Sequence, residues 1–199
     1  MTDPIPDHRN RLAYTLGRLF HPYLISIPTL AAVLADLSFG EAFFWMAMVV
    51  AILILPLVVT TTLLRRQNRY VYQRATRTPI YLTFWVSLLV CIGVLTALSA
   101  PVTLLAGILA LTLWIPLQLI INTYVTKVST HAAVASGCMT GLLLLGKLNH
   151  PLLVLSALAV VCLTLWARVT TRNHTVEQVI MGTLTGATSV LIVFPLILH

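Results

Sequence analysis

Two short polar stretches carry the residues of this chain that could do chemistry. Lys127-Val128-Ser129-Thr130-His131 offers an ammonium, a hydroxyl and an imidazole within five residues, and the run 167–178, ARVTTRNHTVEQ, offers Arg168, His174, Glu177 and Gln178. A third stretch, 65–79, reads RRQNRYVYQRATRTP and holds five arginines. Guanidinium groups meet phosphate oxygens two at a time, and ammonium and hydroxyl donors complete such a cage. Two histidines facing one phosphorus can divide phosphoryl transfer between a nucleophile and a general acid. The chemistry these residue types suit is therefore the binding and transfer of a phosphoryl group.

The rest of the chain must bring those stretches together, and its composition says how. Of 199 residues 59% are hydrophobic and 9% charged, with mean hydropathy +0.97, which describes an all-α polytopic membrane protein and not a soluble domain. Seven apolar runs, at 22–38, 43–64, 80–99, 102–121, 132–148, 151–167 and 176–198, approach the length that crosses about 30 Å of hydrocarbon, which predicts a bundle of six or seven spans. Residues 1–21 form a polar N-terminal surface segment with no resemblance to a cleaved signal peptide, and 22–199 form a single transmembrane domain. Pro101 and Pro151 mark tight reversals between paired spans.

If the spans alternate in direction, segments 1–21, 65–79, 122–131 and 168–175 share one membrane face. That face receives eleven of the twelve cations of a chain whose net charge is +7, leaving Lys147 alone opposite, so the motif face is expected to be cytoplasmic. Ser129 and His131 then precede one span and His174 another, where free N–H groups and the positive end of the helix dipole favour an anion. Gly137-x-x-x-Gly141 and Gly182-x-x-x-Gly186 predict close helix approach. Cys91, Cys138 and Cys162 are isolated and read as small buried hydrophobes. His8, His21, His150 and His199 read as interfacial residues without a role in the chemistry.

The two motifs resemble the type 2 phosphatidic acid phosphatase superfamily of membrane lipid phosphatases over roughly residues 65–198. That family's second motif, Pro-Ser-Gly-His, is matched in spacing by Ser129-Thr130-His131, with Val128 and Thr130 in place of proline and glycine. Its third motif, Ser-Arg, five residues, His, three residues, Asp, is matched by Arg168 and His174, with Ala167 for serine and Gln178 for aspartate. Its first motif, Lys, six residues, Arg-Pro, has its nearest counterpart in Arg69 to Pro79, where Arg77-Thr78-Pro79 carries one extra residue. Lys127-x-Ser129-x-His131 and His174-Thr175-x-x-Gln178-Val179 look like a divergent bacterial branch of the superfamily.

The resemblance implies that His174 attacks phosphorus to form a phosphohistidine and that His131 protonates the leaving group. Arg168, Ser129, Lys127, and one or two of Arg69, Arg74 and Arg77 would hold the phosphoryl oxygens. Gln178 would orient the nucleophile in place of aspartate, accepting its ring N–H without supplying charge. Glu177 is the alternative orienting residue, because i and i+3 are neighbours on a helix. No cofactor and no metal is implied, in keeping with the lack of an acidic cluster. The implied substrate is a phosphomonoester or diphosphate of a lipid or polyprenyl tail, in a multi-pass protein of the bacterial inner membrane. Its partners are membrane lipids and not nucleic acid, and an oligomer is compatible with the sequence. Two alternatives stand beside hydrolysis: a lipid phosphotransferase, and a catalytically silent relative that binds anionic lipid.

Overall fold

The structure is a computed structural model that describes the backbone of residues 8–67 and 74–198, and the side chains of 11–67 and 78–198. Among the described residues there is no strand. The helices are α1 (His8–Leu19), α2 (Pro22–Val33), α3 (Phe39–Arg66), α4 (Arg74–Ala97), α5 (Val102–Tyr124), α6 (Thr130–Leu144), α7 (Pro151–Thr170) and α8 (Val176–Leu198). Five of them, α3, α4, α5, α7 and α8, are long and apolar enough to cross a membrane. The chain is thus an integral membrane helical bundle.

The sequence predicts six or seven crossings, and the two remaining apolar runs are the ones that differ. α2 has 12 residues and α6 has 15, so at 1.5 Å per residue they reach only about 18 and 22 Å. They lie side by side and are pinned at both ends. At their starts the rings of His21 and His131 are 5.3 Å apart, and past their ends Lys147 forms a 2.6 Å ion pair with Asp36. Both helices run from the face that carries the histidines toward the other face, and it is their length, not their direction, that falls short of the sequence reading. Apolar composition extends beyond each helix end because Leu34, Leu37, Leu145 and Leu148 sit in the turns, where composition does not reveal that the helix has stopped.

The larger apolar core lies among α3, α4 and α5, around Leu53, Leu88, Cys91, Leu95 and Ile108, and a smaller one joins α5 to α8 through Ala106, Ala110, Val190 and Phe194. The small residues of α6 and α8 meet as the sequence predicts. A Cβ placed on Gly186 would fall 2.0 Å from the carbonyl oxygen of Ala133, and one on Gly182 would fall 2.5 Å from that of Ser129, so only hydrogen fits at these crossings. Pro101 caps the start of α5 and Pro151 opens α7, as expected. Of the cysteines, Cys91 is buried but Cys162 is exposed on the outward side of α7.

The described part of the polar N-terminal segment is itself largely helical. α1 packs against α7 through its buried small residues Ala13 and Gly17, while Leu12, Tyr14 and Leu19 stay more than half exposed. Small residues four apart allow close approach without an apolar stripe, so hydropathy gives no warning of this packing.

Candidate functional site

The end of α7 shows why Arg168 and His174 are six positions apart. The helix stops at Thr171, and Arg172 takes a left-handed conformation, φ 54°, at a position glycine usually fills. That reversal turns the next residues back over the last helical turn, and the amides of Asn173 and His174 both donate to the carbonyl oxygen of Arg168, at 3.2 and 3.3 Å. The arginine and the histidine are therefore joined through the backbone at a fixed separation.

α8 begins immediately afterwards, and its first turn holds the imidazole. Thr175 Oγ1 accepts from the Gln178 amide at 3.4 Å and Gln178 Oε1 accepts from the Thr175 amide at 3.3 Å, a reciprocal capping pair in which glutamine occupies its usual third position. The same Oε1 lies 3.2 Å from His174 Nδ1, while Gln178 Nε2 donates to Thr126 Oγ1 at 3.3 Å. The tautomer follows from these partners. An atom that faces the Thr175 N–H must be an acceptor, so the carbonyl end of the amide also faces Nδ1, and Nδ1 must carry the proton. His174 consequently presents its lone pair at Nε2, the form in which an imidazole is a nucleophile. Glu177 is exposed on the same turn, and it is Gln178 that reaches the ring.

The second motif is stitched to this turn from the α5–α6 side. The Ser129 amide donates to the Gln178 carbonyl at 3.2 Å, and Lys127 Nζ donates to the Asn173 carbonyl at 2.9 Å. Ser129 is completely buried and is the N-cap of α6, its hydroxyl accepting from the Ala132 amide at 3.4 Å. Its observed task is to end one segment and start the next, since a helix's first amides need an acceptor and the residue before the helix is placed to supply it. Beneath it, Asn122 Oδ1 accepts the Val128 amide at 2.9 Å, and Asn122 and Gln118 both donate to the Tyr81 hydroxyl, with Gln118 also bonded to Thr130 Oγ1 at 2.7 Å. This polar network joins α4, α5 and α6 and fixes the loop that carries Lys127 and the first turn of α6 that carries His131.

His131 stands on the first turn of α6, at the mouth of the bundle. Burial, and then the guanidinium charge of Arg168, with lesser electrostatic contributions from the neighbouring His21 and His174, push its pKa down to about 3, so it rests neutral. His21 is lowered from its ordinary value as well, by burial and then by Arg168. His21 is the residue the sequence reading misses: its ring meets that of His131 edge-on, with an interplanar angle of 86°. One signal was available, because His21 precedes the first apolar run at Pro22 on the face to which the charge pattern assigns the motifs. Arg168 reaches across to the same corner, donating from Nη2 to the Gly17 carbonyl at 3.0 Å, while its buried Nε has no hydrogen-bond partner among the described residues.

The structure thus brings His174, His131, Arg168, Lys127, Gln178 and His21 to one end of the bundle. Arg74 lies at the start of α4 with Arg77 one turn on, both described in backbone only, and Arg69 lies outside the described residues. Among the described residues, no three His, Cys, Asp or Glu side chains are grouped to hold a metal ion. Toward the other face, a cavity of about 180 Å³ runs between α2, α5, α6 and α8, from Ser26, Ala133 and Trp114 down to Leu145 and Phe194. Its walls are almost entirely apolar, and its upper end begins within a turn or two of His21 and His131.

Neither the protein-family models, nor the curated proteins, nor the solved structures compared with this chain include one that matches it.

Proposed function

We propose that this chain is a lipid phosphate phosphatase of the type 2 phosphatidic acid phosphatase kind, hydrolysing a phosphomonoester or diphosphate on a lipid or polyprenyl tail. The observation that carries the reading is the fixing of His174 as the Nδ1–H tautomer by Gln178, directly after a turn whose backbone ties it to Arg168. Nε2 attacks phosphorus, and the bond from phosphorus to the leaving oxygen breaks. The leaving alkoxide or phosphate takes a proton from His131, and Arg168 and Lys127 hold the equatorial oxygens. Water, giving a proton to His131, then splits the phosphohistidine and releases phosphate.

His131 is neutral while the site is empty, so it cannot donate until it gains a proton. A phosphate dianion reverses the sign of the surrounding field and favours the imidazolium, which makes the acid available only when substrate is present. The apolar cavity below the histidines supports a hydrocarbon tail as the rest of the substrate. The cation asymmetry supports a cytoplasmic motif face. With seven crossings, a reporter fused after His199 would lie outside, and one read in the cytoplasm would revise the span count or the side.

The deciding experiment measures phosphate release by the purified protein from a panel of lipid monophosphates and polyprenyl diphosphates, beside His174→Ala. Release that disappears in a folded His174→Ala variant is the expected result. Transfer to a second lipid would make the protein a phosphotransferase, and binding without either outcome would make it an anionic-lipid binder.

A further inference from the structure

We propose that His21 is a further phosphoryl-binding residue, its Nε2–H donating to the oxygens of the group held by His131, His174 and Arg168, so that the α1–α2 corner completes the site. The inference rests on the phosphoryl reading above and extends it to a residue outside both motifs. Three observations carry it.

The first is the tautomer. His21 is the N-cap of α2, and its Nδ1 accepts the Tyr23 amide at 3.4 Å. A nitrogen that accepts cannot hold the proton, so neutral His21 carries it on Nε2, at the outer edge of the ring, where it is a donor. His21 and His174 are thereby set in opposite forms: one presents a lone pair, the other an N–H.

The second is position. The His21 ring lies 5.3 Å from that of His131 and close enough to Arg168 for the guanidinium charge to bear on it. Four residues earlier, the Gly17 carbonyl holds Arg168 Nη2, so the same corner of chain grips the arginine and presents the histidine. Among the described residues the acidic groups do not balance this charge: Asp36 pairs with Lys147, Glu41 with Ser38, both away from the site, and Glu177 is exposed. Such a cluster favours an arriving polyanion.

The third is an internal comparison. His150-Pro151 repeats His21-Pro22, and His150 Nδ1 likewise accepts the amide two residues on, from Leu152 at 3.2 Å. His150 is exposed at the start of α7 and, among the described residues, takes part in no histidine pair. Capping accounts for His150; it does not account for the His131 and Arg168 neighbours of His21.

Two substitutions separate capping from binding. His21→Asn puts an acceptor near Nδ1 and keeps a good N-cap but removes the Nε2–H, whereas His21→Gln places an amide N–H near the position of Nε2 and weakens the cap. The probe is inorganic phosphate, titrated into the full chain in nanodiscs by calorimetry, with thermal unfolding of each variant followed alongside. His21→Asn is expected to keep wild-type thermal stability and to weaken phosphate binding about 10- to 100-fold, the range of a hydrogen bond to a charged group. His21→Gln is expected to unfold earlier yet to retain most of the affinity. Unchanged binding in His21→Asn overturns the proposal, as does an equal loss in both variants or a wild-type protein that binds no phosphate. Wild-type protein that binds phosphate through His21 but releases none from any lipid phosphate would refute the phosphatase reading alone.

Discussion

Arg168 Nη2 lies 3.0 Å from the carbonyl oxygen of Gly17, a bond between residues 151 positions apart that ties the last turn of α7 to the N-terminal helix. A Cβ on Gly17 would fall 2.6 Å from that same nitrogen. Gly17→Ala should therefore leave the fold intact but push the guanidinium aside, and turnover should fall by about tenfold or more, since small misplacements of a positioning group are costly. Arg168→Lys should lose more, because an ammonium cannot make the planar two-pronged contact. Phosphate-release rates for both variants check this, and a Gly17→Ala rate equal to wild type would show that the tether does not aim Arg168.

Gln178 serves two structures at once, the cap of α8 and the ring of His174. Gln178→Glu preserves both, because glutamate is the commoner residue at that capping position, and it adds a negative charge beside the imidazole. Turnover should rise, with the proton on Nδ1 held more firmly. Thr175→Ala removes only the cap and should cost about 1 kcal/mol of stability. Steady-state rates and chemical unfolding of the two variants distinguish the roles; a Gln178→Glu variant slower than wild type would argue against charge stabilisation of His174.

The depressed histidines give a signed dependence on pH. Unfolded histidine titrates near 6.5, whereas folded His131 does so at about 3, so the unfolded state binds the extra proton between those values. Stability is then fully present above pH 6.5 and declines as pH falls toward 3, with His21 contributing in the same direction. For a chain of this size His131 alone amounts to at most about 3–5 °C in Tm per pH unit. Melting in detergent from pH 7.5 to 4.5 should show the decline, and His131→Asn should flatten it. Phosphate binding near neutral pH should be accompanied by proton uptake, measurable as a buffer-dependent binding enthalpy.

The crossing of α6 and α8 sets the distance between the two motifs. Gly186→Ala would put a methyl group 2.0 Å from the Ala133 carbonyl, and neither backbone can yield without moving the helices apart. We expect a loss of roughly 1–3 kcal/mol or more, together with loss of the Ser129–Gln178 backbone bond and hence of activity. Gly107→Ala is the control, since nothing lies within 4 Å of a Cβ there. Unfolding curves for the pair should differ clearly, and equal curves would mean that the helices are not held by this contact.

Several features of this protein were legible in the sequence because they depend on local chemistry. Hydropathy marks the apolar helices, since each must shed water along its whole length, and Pro101 and Pro151 mark reversals because proline lacks the amide that a continuing helix needs. The spacings Lys127-x-Ser129-x-His131 and Arg168-x5-His174 are also local, the second being the length of one left-handed helix ending. Gly182 and Gly186 announced a close crossing because few residues besides glycine permit one. What stops α2 and α6 short was not legible, since leucines continue past both helix ends into turns. The partnership of His21 with His131, the tether from Gly17 to Arg168 and the burial of Ser129 belong to tertiary structure alone. Each joins residues distant along the chain, and the pattern of a single segment carries no record of which other segment it will face.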